Sequence, residues 1–326
     1  MKKTTALIAV LLSFILLCTA CSVTEGDAAP LTVNGTAVDG EVFRYFLDEA
    51  IGEDPPADRD GVINFATEQC IRYVAVNTAF QTMELSLDPA ARAAASEEAN
   101  ALWRMFHAHY EAIDVSKETF IKLYTADAYR ETLREALYGE NGETPIDEDV
   151  LKGYFAEHYN AVRYVDGLLY TTDENGDKKT YDEETRQRVF AKFEQTAQQI
   201  NAGSAAEVLF ASLPTAMGID LQQHLSTEII AADTPGLPAG FFQGVEGLKI
   251  GKAGVLLLSD HVYLVLRVDV FSDETLFENN RAACLRAVSE APLLEEISRL
   301  SEEFTSVRKT RAALECYTTV KDGRRA

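Results

Sequence analysis

Through most of the first 140 residues, apolar side chains recur every three or four positions, a spacing that predicts amphipathic helices. Asp39 opens the first, with Val42, Phe43, Phe46 and Leu47 on one face. After a breaker-rich loop, 52–61 (GEDPPADRDG), a longer stripe runs through Val62, Ala66, Cys70, Tyr73, Val76, Phe80, Met83 and Leu87. Asp88-Pro89 supplies an N-cap and a proline at the first helical position for a helix carrying Ala101, Leu102, Met105, Phe106 and Tyr110. Ser116 caps another, with Phe120, Leu123 and Tyr124, which runs on or restarts through Tyr129–Tyr138 and stops at 139–142 (GENG). The one extended signal here is 31–38 (LTVNGTAV), two short apolar runs about Asn34-Gly35, residues that tolerate positive φ in a tight turn.

The pattern changes after residue 144. Asp147-Glu148-Asp149 places three acids in the first turn of a helix through Leu151, Tyr154, Phe155 and Tyr159, where they suit its dipole. Residues 162–171 read as a strand, 173–179 (DENGDKK) as a polar turn and 184–202 as a helix ending at Gly203. A short helix, 207–212, is expected to stop at Pro214, and 231–254 reads as irregular. Val255–Leu258 and His261–Phe271 are apolar, β-branched runs parted by Ser259-Asp260, a hairpin signal. The order β–α–α–β–β gives an α+β module with a small antiparallel sheet. From residue 273 the helical period returns in Leu276, Phe277, Asn280, Cys284, Ala287 and Val288. Pro292 is expected to break it before a second stripe, Leu293, Ile297, Leu300, Phe304 and Val307. Helices on both sides of the module predict that the flanks pack together around an insertion. The expected domains are 31–144 (helical), 145–272 (the α+β module) and 273–326 (helices returning to the first domain).

The N-terminus points to an address. Lys2 and Lys3 precede an apolar run from Ala6 to Leu17, too short to span a bilayer as a mature helix. Thr19-Ala20-Cys21 resembles the lipobox of a bacterial lipoprotein, although Cys18 stands where Leu is usual. The resemblance implies a signal peptide over 1–20, lipidation of Cys21, and a short polar tether over 21–30. An ordinary secretory signal with Cys21 as a plain thiol is the alternative.

Charge narrows the partners. The 326 residues hold 30 Lys and Arg against 52 Asp and Glu, a net charge of −22. Loss of Lys2 and Lys3 with the signal takes the mature chain to −24, with 28 basic residues against the same 52 acids. Such a chain is repelled by phosphate backbones, so nucleic acid is excluded as a partner. It is also repelled by anionic membrane surfaces, so retention rests on the lipid. Cys70, Cys284 and Cys316 lie far apart among apolar neighbours and read as buried free thiols.

Three segments carry a resemblance to the PrsA-like and SurA-like extracytoplasmic foldases. LTVNGTAVDGEVFRYFL (31–47) is similar to their opening turn and Phe/Tyr helix. PIDEDVLKGYFAEHYNAVRYVDGLLY (145–170) is similar to the acidic cap, Tyr-Phe helix and first strand of their parvulin-type isomerase module. LPAGFFQGVEGLKIGKAGVLLLSDHVYLVLRVDVF (237–271) is similar to that module's closing loop and hairpin. The order of these segments covers nearly the whole mature chain. The resemblance implies a helical chaperone domain built from both terminal segments, an inserted parvulin-like module, and assistance to unfolded or newly secreted proteins at the outer face of the bacterial cell membrane. No cofactor or metal is implied.

The polar positions depart from that family. Its first-strand His falls at Val165–Leu168, where the chain reads Val-Asp-Gly-Leu, and its last-strand His falls on Leu264. His261 is three residues early, and Ala216-Met217-Gly218-Ile219-Asp220 replaces the usual Gly-rich turn. Asp166 is the candidate polar group, a strand-end carboxylate in water being its plainer reading. Met217 and Phe241 or Phe242 are candidates for an apolar proline slot, core packing being theirs. The expectation is a kept scaffold with lost isomerase chemistry, and a chaperone that holds clients on Tyr73, Phe80, Met83, Trp103, Met105 and Phe106, because methionine and aromatics adapt to varied partners. The alternatives are a divergent peptidyl-prolyl isomerase using Asp166, Met217 and Phe242, and a non-catalytic assembly or ligand-binding lipoprotein. His107 and His109, at i and i+2 on a helix, point too far apart to share one ion and read as exposed. His158 and His224 read as isolated surface residues.

Overall fold

The computed structural model describes residues 29–52, 58–175, 177–217, 219 and 221–325. The expected signal segment and Cys21 lie outside the described residues, as does the expected tether before Ala29. The chain divides into two compact units. One comprises the residues up to Thr144 together with those from Glu290 onward; the other is Pro145–Ser289.

In the first unit β1 (Leu31–Val33) and β2 (Thr36–Val38) form the expected hairpin. Asn34 and Gly35 both take positive φ, 47° and 82°, at its turn. Then come α1 (Gly40–Gly52), α2 (Arg59–Thr82), α3 (Pro89–Ala112) and α4 (Lys117–Tyr138). The caps are the ones the sequence implies. The carboxylate of Asp88 accepts from the amides of Ala90 and Ala91, and Ser116 Oγ accepts from that of Thr119. α4 runs unbroken to Gly139.

The second unit begins with α5 (Glu148–His158), capped by Asp147. β3 (Asn160–Leu168) follows, then the small hairpin β4 (Tyr170–Thr172) and β5 (Lys178–Thr180). α6 (Glu183–Asn201), α7 (Ala206–Met217), β6 (Leu221–Ile230), α8 (Phe241–Glu246), β7 (Ala253–Leu258) and β8 (His261–Val268) complete the module. Its sheet is antiparallel, in the order β6-β3-β8-β7. One face packs on α6 and α7 through Phe193, Phe210 and Leu213; the other lies under α8, with Phe241 and Val245 fully buried.

Several expectations are corrected here. β6 lies where no strand was expected: it is an edge strand, half polar (LQQHLSTEII), so it lacks the apolar run that marks a central strand. α7 continues past Pro214 to Met217, and α8 interrupts the stretch expected to be irregular.

The return helix α9 (Glu274–Glu302) continues through Pro292 instead of breaking. Leu293 and Ile297 just beyond the proline are buried in the first unit's core, so packing holds the helix where one hydrogen bond is lost. Residues 274–289 of α9 belong to the second unit, where Phe277 meets Phe155 edge-on and Phe271 at a tilt. The boundary therefore falls at 289 rather than 272. β9 (Val307–Lys309) replaces the expected helical stripe at Val307 and pairs antiparallel with β1; α10 (Ala312–Gly323) ends the fold.

The first unit is thus closed by both chain ends. Phe43 and Leu47 of α1, Ala66 and Cys70 of α2, Trp103 of α3 and Phe120 of α4 share one core with Ala313, Cys316 and Val320 of α10. Cys70, Cys284 and Cys316 are free and buried. Among the described residues no helix is long and apolar enough to cross a membrane.

Candidate functional site

Two grooves in the first unit are lined by α2, α4 and the second half of α9, the first of them also by α1. The first, about 200 Å³, is walled by Tyr45, Phe46, Tyr73, Val76, Leu123, Leu294 and Ile297. The second, about 270 Å³, is walled by Ala75, Ala79, Met83, Leu133, Leu137, Leu300 and Phe304. Both follow from helices whose apolar stripes are wider than the neighbouring helices cover. Arg134, only 3% exposed, is buried on α4: its Nη2 donates to Glu290 at 2.7 Å, and Arg130, which lines the first groove, holds the other oxygen of Glu290.

The first groove is also charged. Glu49 and Asp127 line it, with Arg72 and Arg130. Neither carboxylate has a cation within ion-pair distance among the described residues, whereas the neighbouring Asp48 is held by His109 at 2.8 Å and Arg324 at 2.6 Å. Glu49 is exposed to water, yet the walls of the groove stand close about its carboxyl. That enclosure pushes its carboxyl up to about 7; the Tyr45 hydroxyl opposes the shift by donating to it, and Asp127 and Asp48 add to it. Asp127 is raised as well, by burial first; the Arg130 guanidinium opposes the shift, and Glu131 adds a smaller push.

The structure sorts the six side chains proposed to hold clients. Tyr73 and Met83 line the grooves. Met105 and Phe106 stand out from α3, 66% and 51% exposed. Phe80 and Trp103 are core residues and are corrected on that ground: Phe80 stacks on Tyr129 at 4.5 Å, and Trp103 packs on Phe120 at 5.6 Å. Helical periodicity places all six on apolar stripes without saying which part of a stripe a neighbour covers.

In the module Asp166 is no strand-end carboxylate in water. Its side chain is 12% exposed, on the α8 side of the sheet. Nδ1 of His261 lies 2.8 Å and 3.0 Å from its two oxygens. A carboxylate only accepts, so this contact puts the imidazole proton on Nδ1. Tyr263 sits directly opposite Asp166 in the register, with its ring stacked on His261. Burial, then Asp166, pushes the Tyr263 hydroxyl up, and burial, then Glu228, takes Tyr164 to about 12, so both phenols stay protonated. His224 is half-buried rather than a surface residue: it stacks on Tyr164 at 4.1 Å and contacts Glu228 at 2.8 Å.

The hairpin at Ser259-Asp260 sets this register, and it puts His261 and Tyr263 on the Asp166 face and Leu264 in the core under α6. The residues that meet Asp166 are therefore His261 and Tyr263, not the residue at position 264. Phe242 is half-buried beside Phe241 under the same face. Met217 ends α7, and its side chain lies outside the described residues.

The fold and these sites define an α+β protein in which a grooved helical unit, closed by both chain ends, carries an inserted sheet module. No protein-family model matches the chain, and no curated protein does. Several solved chains are similar to it, two foldases among them. The foldase protein PrsA of Streptococcus pneumoniae is 11% identical over 80% of this chain and 93% of its own, with a TM-score of 0.39. The foldase protein (PrsA) of Lactococcus lactis is 10% identical over 91% of this chain and 99% of its own, with a TM-score of 0.41.

Proposed function

We propose that the chain is an extracytoplasmic chaperone. It is anchored through a lipid on Cys21 at the outer face of the bacterial cell membrane and holds unfolded or newly secreted proteins. The observation that carries this reading is the pair of open, aromatic- and aliphatic-walled grooves along α2, α4 and α9. Apolar concavities of this kind bind side chains that an unfolded chain exposes, and Tyr73 and Met83 supply adaptable contacts. The net charge of −22 keeps such a surface from associating with itself.

The test is suppression of aggregation of a heat-denatured reporter protein. Wild type suppresses it at near-equimolar ratio. Tyr73→Ser and Met83→Ser each remove about 1 kcal/mol of apolar contact, about fivefold in the concentration needed. Absence of suppression by wild type overturns the reading.

The buried Asp166–His261 pair favours a second reading, a divergent prolyl isomerase. Such an enzyme must lower a barrier of ~18–20 kcal/mol. Phe241 and Val245 fill the face beside the pair, which supports a scaffold without that chemistry. The expected result is no acceleration of proline-limited refolding. Acceleration that Asp166→Ala abolishes while circular dichroism is unchanged establishes the enzyme instead.

A further inference from the structure

The first groove holds more than apolar clients require. Glu49 projects from the last turns of α1 and Asp127 from the middle of α4, and they repel each other across one concavity. On α4, Arg130 draws the Asp127 carboxyl down and Glu131 pushes it up. Asp48 on α1 pairs with Arg324 and contacts His109. Arg130 on α4 and Glu290 on α9 are engaged with each other, and Glu290 also with Arg134. Arg72 on α2 lines the groove without an ion pair to either carboxylate among the described residues. Around the two acids stand the rings of Tyr45, Phe46 and Tyr73. Two carboxylates that no ion pair engages among the described residues, set among aromatic faces, form a receptor for an ammonium on an aliphatic stem, since rings attract cations and the stem covers apolar surface.

We propose that this groove takes a lysine side chain of a bound polypeptide, its stem against Phe46 and Tyr73 and its ammonium between Glu49 and Asp127. The proposal rests on the holding reading above and adds to it a selectivity for basic segments. It also sets a pH dependence. Glu49 titrates near 7, and only its ionised form attracts the ammonium, so selectivity rises from pH 6 to pH 8.

The test measures fluorescence anisotropy of two capped peptides, with the full chain in nonionic detergent at about 0.15 M salt, where attraction beyond ~8 Å is screened. One peptide carries a single lysine among apolar residues; in the other, norleucine replaces it. At pH 8 the lysine peptide binds about tenfold tighter, and at pH 6 about threefold. Glu49→Gln with Asp127→Asn brings the ratio close to one and leaves norleucine binding intact, whereas Glu183→Gln with Glu184→Gln, in the other unit, leaves the ratio at tenfold. Equal binding of the two peptides by wild type overturns the proposal while the holding reading stands. A preference that the groove variant keeps also overturns it, by assigning the effect to the general acidity of the chain. A preference lost in the groove variant, in a chain that suppresses no aggregation, upholds the lysine site and removes the chaperone.

Discussion

Ending the chain at Thr305 unfolds the first unit and leaves the module intact. The truncation removes β9 and α10, whose Ala313, Cys316 and Val320 are buried against Phe43 and Leu47 of α1. It also strips β1 of one partner strand and uncovers Leu31 and Val33. Each uncovered large apolar side chain costs about 1.5–3 kcal/mol, so the four together cost about 6–12 kcal/mol. That is as large as the whole stability of a typical domain, about 5–15 kcal/mol. Hydrogen exchange reads the outcome unit by unit: amides of α1 and α2 lose protection, and those of β3 and β8 keep it. Retained protection in α1 overturns the view that the two chain ends close one core. Loss in β3 as well overturns the independence of the module.

That assembly was legible in the sequence to the extent that it rests on local signals. Asn34-Gly35, Asp88-Pro89, Ser116, Asp147 and Ser259-Asp260 each act within a few residues, and each appears where it was read. What the sequence hides is decided at a distance. β6 and β9 are strands because β3 and β1 offer them edges, and neither has an apolar pattern of its own. Pro214 and Pro292 fail to end their helices, and at Pro292 the tertiary packing of Leu293 and Ile297 outweighs one missing backbone bond.

The candidate sites follow the same division. Tyr73 and Met83 could be picked from their stripes, but so were Phe80 and Trp103, because a stripe does not say where its neighbour stops. Asp166 stood out by its strand. His261 looked misplaced by three residues until the hairpin fixed which side chains share its face. Glu49 and Asp127 gave no signal at all among 52 acids; only α1 and α4 packed together make them a pair.

Gly167 beside Asp166 shows how closely the module's helical layer approaches its sheet, and it leads to the second large effect. A Cβ built at Gly167 would lie 3.2 Å from Cζ of Phe193, 3.2 Å from Val262 Cγ1 and 3.0 Å from Leu221 Cδ2. The ring of Phe193, fully buried on α6, occupies the space a side chain at 167 would need. Phe193→Ala empties it and costs the module about 3–5 kcal/mol. Gly167→Val overfills it and costs about 1–3 kcal/mol. Together the added methyls enter the room the ring has left, so the double variant loses at least about 1 kcal/mol less than the sum of the two. Urea melts of the four proteins give the coupling, and additive losses overturn the shared space. The cycle also reaches the site. Phe193 lies against β3 at Gly167, next to Asp166, so a shift of the strand there moves the carboxylate relative to His261. Phe193→Ala is therefore expected to broaden and shift the His261 imidazole resonances in nuclear magnetic resonance spectra, and Gly167→Val in the same background to draw them back toward their wild-type positions.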